Sequence, residues 1–317
     1  MTLRVAVQMD PLETINIAGD STFAIMLSAQ ARGHKLYHYL ADALTYEGGR
    51  LYAGAHEVTV QRKDGDHFTL GDFTILDLGS DVDVVLMRQD PPFDLGYITA
   101  THLLERIQSE TLVVNDPASV RNAPEKVWVL DFARFMPPTM VTRSLGAARK
   151  FLEEHGEAVL KPLHGNAGKA VFKIGRDGAN LAPLMELFNA TYREPHMLQA
   201  FVPEVAEGDK RIVLIDGEVT GAINRRPAKG DIRSNLAAGG TAEAAELTET
   251  EREICAVLGP ELKRRGLLFV GIDVIGGKWL TEINVTSPTG IVAIDKFNGS
   301  DTPALIWDAI EGTLASR

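Results

Sequence analysis

The sequence predicts an α/β unit followed by two smaller α+β units, and three observations carry that prediction. Strand and helix patterns alternate over residues 1–122, as they do where helices wrap a parallel sheet. Residues 115–124, which contain Asp116-Pro117, break the alternation and mark a linker. Beyond it come short strands and turns, and residues 267–275 form a continuous apolar run interrupted by one carboxylate, Asp273.

Taken in order, residues 3–8 read as an apolar strand. Ser21 can cap a helix on which Phe23, Leu27 and Ala31 keep helical spacing until Gly33 stops it. Residues 35–40, 83–87 and 111–115 read as strands and 97–107 as a helix. A central unit, 123–203, opens with a helix through Lys126 and Leu130 and continues with strands at 139–142, 158–161 and 170–174. The last unit, 204–317, begins with strands at 210–215 and 218–223 around an Asp216-Gly217 turn. Thr248 and Glu251 make a capping box for a helix running towards Gly266, which Pro260 should kink or divide.

Composition narrows the function. A net charge of −11 argues against nucleic acid or an anionic membrane as partner, so any anion site must be local. One cysteine, Cys255, excludes an intramolecular disulfide and fits a reducing compartment. The opening MTLRVAVQMD has no signal-peptide core, and no run of 18 apolar residues occurs, so a cytoplasmic enzyme is expected. There is no GxSxG elbow and no HExxH or paired-histidine spacing, which removes hydrolase and zinc chemistry.

Four stretches can carry chemistry. In LLFVGIDVIGGKWLTEINVTSPTG, Gly276-Gly277 signals a hairpin, and Glu282 and Asn284 share a face of the return strand. A two-residue turn brings Asp273 onto that face and a three-residue loop breaks the arrangement. Two carboxylates and an amide oxygen suit magnesium, and the bland alternative is a solvent-facing hairpin. Lys161 leads into Gly165-Asn166-Ala167-Gly168, a small-residue loop able to approach phosphates or simply to turn the chain. It is not a Walker A sequence, since alanine follows Gly168-Lys169.

Residues 209–233 place Lys210, Arg211, Arg225, Arg226, Lys229 and Arg233 against Asp209, Asp216, Glu218 and Asp231, an inversion of the chain's overall charge that suits a polyanion. Arg226 and Lys229 are the ones expected to be merely exposed. The loop 227–240 is too poor in large apolar groups to build core, and Arg233 and Asn235 within it favour a mobile lid over a disordered connector. The segment MRQDPPFD follows a strand at its carboxyl end, where α/β sheets place ligands. Gly19-Asp20-Ser21 is read as a helix cap in preference to an anion site.

Several strings, in order, resemble the ATP-grasp ligases and within them the bacterial glutathione synthetases: VQMDPLETINIAGDSTFAIML, MRQDPPFD, NDPASVRNAPEK, GDKRIVLIDGE, RSNLAAGG and FVGIDVIGGKWLTEINVTSPTG. The resemblance implies an ATP-grasp fold: an N-terminal parallel-sheet (pre-ATP-grasp) domain over 1–122, a central lid domain over 123–203, and a C-terminal domain over 204–317. It implies ligation of glycine to γ-glutamylcysteine by ATP through an acyl phosphate, and a homotetramer. Lys126, Lys161, Gly165, Gly168 and Asp209 would belong to the nucleotide site, with adenine near Gln199 to Val202. Asp273, Glu282 and Asn284 would hold two magnesium ions, with manganese as a substitute. Arg211, Arg225 and Arg233 would meet phosphate or the developing anion, and Asn16, Asp20, Ser21, Arg88, Ser287 and Thr289 the dipeptide. Ala167 stands where the family usually has a further glycine. Competing expectations are an ATP-grasp ligase for another amino acid or peptide pair, and a non-catalytic nucleotide-binding protein.

Overall fold

The computed structural model describes residues 2–236 and 239–317. The chain opens with strand β1 (Arg4–Gln8), helix α1 (Ser21–Ala31) and strand β2 (Lys35–Tyr39), with β2 parallel to β1. A meander follows, β3 (Leu44–Glu47), β4 (Arg50–Val60) and β5 (Phe68–Asp77), antiparallel within itself and to β2. β6 (Val84–Met87) returns beside β1, and α2 (Leu95–Glu105), β7 (Leu112–Val114) and α3 (Pro117–Arg121) follow, all parallel contacts running β2-β1-β6-β7. The expected parallel sheet is therefore the centre of a mixed one. Residues 44–77, outside the strand-helix alternation, add three antiparallel strands, on which Leu51, Ala53, Ala55, Val58 and Val60 supply the buried face.

Helix α1 is capped by Asp20 and not by Ser21: Asp20 Oδ1 accepts from Phe23 N–H at 2.6 Å. A carboxylate at the positive end of a helix outcompetes a hydroxyl. Ser21 Oγ accepts instead from Gly290 N–H at 3.2 Å.

The next part comprises α4 (Glu125–Trp128), β8 (Thr139–Thr142), α5 (Leu145–His155), β9 (Ala158–Pro162), β10 (Phe172–Ile174), α6 (Leu181–Thr191) and β11 (His196–Ala200). Its antiparallel sheet runs β10-β9-β11-β8, with Phe151, Leu152, Met185 and Phe188 packed on Leu160 and Leu198. The last part holds β12 (Asp209–Ile215), β13 (Glu218–Arg226), β14 (Thr241–Ala244), α7 (Glu249–Arg264), β15 (Phe269–Ile275), β16 (Trp279–Asn284), α8 (Ile291–Asn298) and α9 (Thr302–Ala315). Its antiparallel sheet runs β14-β13-β12-β15-β16.

β13 extends to Arg226, beyond the expected end, because β14 pairs with its last four residues. α7 begins with the expected capping box, but Pro260 does not divide it. Ile254 and Leu258 before the proline and Leu262 after it are all fully buried, so packing holds the helix across the lost hydrogen bond.

One side chain ties the first sheet to the last. Asn115, just after β7, donates from Nδ2 to the carbonyls of Phe269 and Val285 and accepts from Phe269 N–H, each at 2.8 Å.

Candidate active site

The β15-β16 hairpin turns through three residues, Gly276, Gly277 and Lys278, and not through the expected two. Its glycines sit at φ +60° and +68°, which side chains other than glycine rarely adopt. Asp273 nevertheless lies opposite Glu282, because the register shifts between Asp273 and Val274, a bulge at Thr281 that takes up the extra residue. Thr281 Oγ1 donates to the carbonyl of Asp273 at 3.1 Å. Asn284 pairs with Gly271, two residues from Asp273, so the three expected oxygen donors share one face.

Cross-strand pairing extends that face over four strands. Asp209 faces Arg225 across β12-β13, and Arg211 faces Asp273 across β12-β15. Arg211 grips both oxygens of Asp273, at 2.7 and 3.1 Å, and Arg225 reaches Asp209 Oδ1 at 2.6 Å through Nε and Asp273 Oδ1 at 2.9 Å through Nη2. All four side chains are largely buried. The charge partner of Asp273 in this structure is thus a pair of arginines. Burial opposes the Asp273 carboxylate, but Arg211 and Arg225 outweigh it and hold the group well below the usual range. Asp209 moves the other way, up to about 6, because burial and the Asp273 charge exceed the pull of Arg225.

A cleft with about 860 Å³ of empty space lies between the central and last sheets. It is lined by Lys126, Lys161, Gly165, Gly168, Gln199, Val202, Asp209, Arg233, Asp273 and Glu282, which brings together the expected nucleotide residues. Lys126 Nζ donates to the carbonyl of Gly165 at 2.7 Å and stands 3.4 Å from Glu282, with Lys161 Nζ 3.7 Å from the same carboxylate. Burial lowers the pKa of Lys161, against the charge of Glu282. The loop over the cleft is strained: Ala167 and Ala170 have φ of +52° and +55°. Gly168 sits at φ +72°, a conformation side chains rarely adopt, and a Cβ there would meet Asn235 Oδ1 at 2.7 Å. Asn235 and Arg233 therefore lie against the glycine loop. Arg233 pairs there with Asp231, while Arg226 and Lys229 are exposed as expected. Residues 237–238 of that loop lie outside the described residues.

A second cavity is lined by Asp90, Glu125, Arg211, Arg225, Ser287 and Thr289, and it shares Asn166, Ala167, Asn235 and Glu282 with the first. Arg88 joins it from behind: its carbonyl accepts from Ser287 Oγ, and its guanidinium donates to Thr22 Oγ1 and the Pro288 carbonyl at 3.0 and 2.8 Å. Nη1 of Arg88 is buried with no hydrogen-bond partner. Asp20 and Ser21 reach the region only through the α1 cap and Gly290. Asn16 is exposed and serves its own turn, its Oδ1 accepting from Ala18 N–H, so it lines neither cavity. Sequence reasoning missed Glu125, whose carboxylate accepts from Thr286 Oγ1 at 2.7 Å; the sole signal was its position beside Lys126. Among the described residues no three of His, Cys, Asp and Glu gather as a metal cluster.

Residues 3–121 match the N-terminal domain of prokaryotic glutathione synthetase, and residues 125–299 match its ATP-grasp domain. The chain belongs to the prokaryotic glutathione synthetase family. It is 57% identical over 315 residues to the glutathione synthetase of Rhodopseudomonas palustris, covering 99% of this chain and 100% of that protein. The glutathione synthetase of Bradyrhizobium diazoefficiens is 57% identical over 98% of each chain. Among solved structures, the D-cycloserine synthetase DcsG superposes with a TM-score of 0.70 at 18% identity, over 98% of this chain and 99% of that one, and shares the ATP-grasp fold. The chain of this glutathione synthetase family member is accordingly an ATP-dependent ligase.

Proposed function

We infer that the protein joins glycine to γ-glutamylcysteine with ATP, releasing glutathione, ADP and phosphate. The observation that carries the chemistry is the meeting of two cavities at Glu282, Asn166, Ala167 and Asn235, one lined by lysines and the other by arginines and hydroxyls. The dipeptide's cysteinyl carboxylate attacks the γ-phosphorus at that junction, ADP leaves, and the glycine amine displaces phosphate from the acyl phosphate. No side-chain nucleophile is required, so positioning and charge stabilisation do the catalysis.

Lys126, Lys161, Gly165 and Gly168 hold the phosphates, Gln199 and Val202 the adenine, and Asp209 anchors Arg225 at the edge of the nucleotide cleft. Arg211 and Arg225 meet the transferred phosphate, and Arg233 closes the loop 227–240 over it. Arg88, Ser287 and Thr289 bind the dipeptide, with Asp20 and Ser21 fixing the helix end behind them and Asn16 the turn before it. The donor set fits magnesium, since the Glu282 and Asp273 carboxylates and the Asn284 amide oxygen are hard ligands on one face. Those three residues would hold two ions, magnesium or manganese in its place, whose positive charge would reduce the repulsion met by the attacking carboxylate. Asp273 is held by Arg211 and Arg225 and its Oδ2 also accepts from Asn284 Nδ2 at 3.3 Å, so its place in the set requires these donors to give way.

The division at 122 and 203, a cytoplasmic location and a homotetramer belong to the same proposal. No described helix is long and apolar enough to cross a membrane. On edge strand β5, Phe73 and Ile75 are 61% and 66% exposed, an apolar surface suited to self-association. The test of function is incubation with ATP, γ-glutamylcysteine and glycine, in which ADP release should match glutathione formed. No ADP above the level without glycine would sink the assignment. Glu282→Ala should lower turnover at least about 100-fold; equal turnover would remove the metal role.

A further inference from the structure

Glu125 and Lys126 are adjacent in sequence and point to opposite sides of the transfer point. Lys126 faces the nucleotide cleft, where it meets Gly165 and Glu282, and Glu125 lines the second cavity. One oxygen of Glu125 accepts from Thr286 Oγ1 at 2.7 Å, and Thr286 is itself buried. Among the described residues Glu125 makes no ion pair. Burial pushes its carboxyl up, Glu282 adds to the rise, and Lys126 opposes it. A half-buried carboxylate with one hydroxyl donor, facing a cavity, is short of a cation. The same cavity is lined by Asp90, Ser287 and the edges of Arg211 and Arg225, and both arginines are already paired with Asp273 and Asp209. What Glu125 offers there is a carboxylate for an incoming ammonium.

We propose that Glu125 binds the ammonium of the acceptor amino acid and takes one proton from it, delivering a neutral amine to the acyl phosphate. This rests on the ligase reading above. The amine nitrogen forms the bond to the acyl carbon, the carbon–oxygen bond to phosphate breaks, and its electron pair leaves on phosphate. The second proton lost by nitrogen goes to the departing phosphate. Thr286 is a positioning residue, holding the carboxylate towards the cavity.

The test compares glycine with hydroxylamine, an acceptor already neutral at pH 7 that yields a hydroxamate without prior deprotonation. Glu125→Gln keeps the oxygen that accepts from Thr286. It should lower kcat/KM for glycine about 100-fold while hydroxamate formation stays within about threefold of the parent. Unchanged use of glycine overturns the assignment, and so does parallel loss of both products, which marks a structural role. Thr286→Val provides an independent arm: the KM for glycine should rise while that for ATP holds, and an unchanged glycine KM counts against the proposal. A parent that forms hydroxamate but is indifferent to both substitutions refutes the role of Glu125 alone; a parent that forms neither product refutes the ligase reading, and this assignment with it.

Discussion

The charged ladder of the last sheet, through Asp209 and Asp273, and the glycine loop of the central part both border the first cleft, yet they hold their groups in opposite ways. On the sheet, Asp209, Arg225, Asp273 and Arg211 neutralise one another through strand register, buried and fixed before any ligand arrives. In the loop, Ala167 and Ala170 occupy backbone conformations that disfavour a side chain, and the segment is steadied by Asn235 and Arg233 from another loop. Rigid charge on strands suits stabilisation of a developing anion, whereas a strained loop under a second loop suits entry and closure.

The largest way to break this comparison is on the sheet. Arg225→Ala leaves Asp209 and Asp273 short of a buried partner and should cost about 3–5 kcal/mol of stability, read as a drop in the urea midpoint. A loss no larger than that of an exposed arginine such as Arg226 would mean the ladder is not a unit. Arg233→Ala should leave stability alone and raise ADP released without glutathione by about twofold or more, since an open site admits water to the acyl phosphate; unchanged coupling would deny the loop its closing role. A pH series sharpens the sheet further. Asp209 has its pKa raised from 3.8 to about 6, so its contribution is present below pH 3.8 and is lost as pH rises through 6. Parent stability relative to Asp209→Asn should therefore decline across that window, and a flat difference would contradict the shift. The smallest effect is expected from Ala167→Gly, which removes left-handed strain and should stabilise by at most about 1 kcal/mol, with a lower KM for ATP. A rise in that KM would show that the alanine is preferred.

Legibility in the sequence follows the same division. The period-two spacing of Glu282 and Asn284 and the aspartate within an apolar strand placed the oxygen donors on one face, because strand geometry is regular. The turn length was misjudged, and a bulge at Thr281 restored the pairing, which no local pattern announces. The meander β3-β4-β5 escaped because the alternation of strand and helix was read across it. Asp273 invited a metal partner, and the arginines that hold it, Arg211 and Arg225, come from two other strands, 62 and 48 residues earlier in the chain, a pairing set by topology. Glu125 escaped for a comparable reason: Thr286, the group that orients it, lies 161 residues away.

Asn115 acts as a rivet between the first sheet and the last. Its amide makes three bonds to β15 and to the residue after β16, so sliding the first sheet over the last would break all three at once. The first and last sheets are therefore held together by one side chain whose three partners would all be left unpaired if the sheets parted.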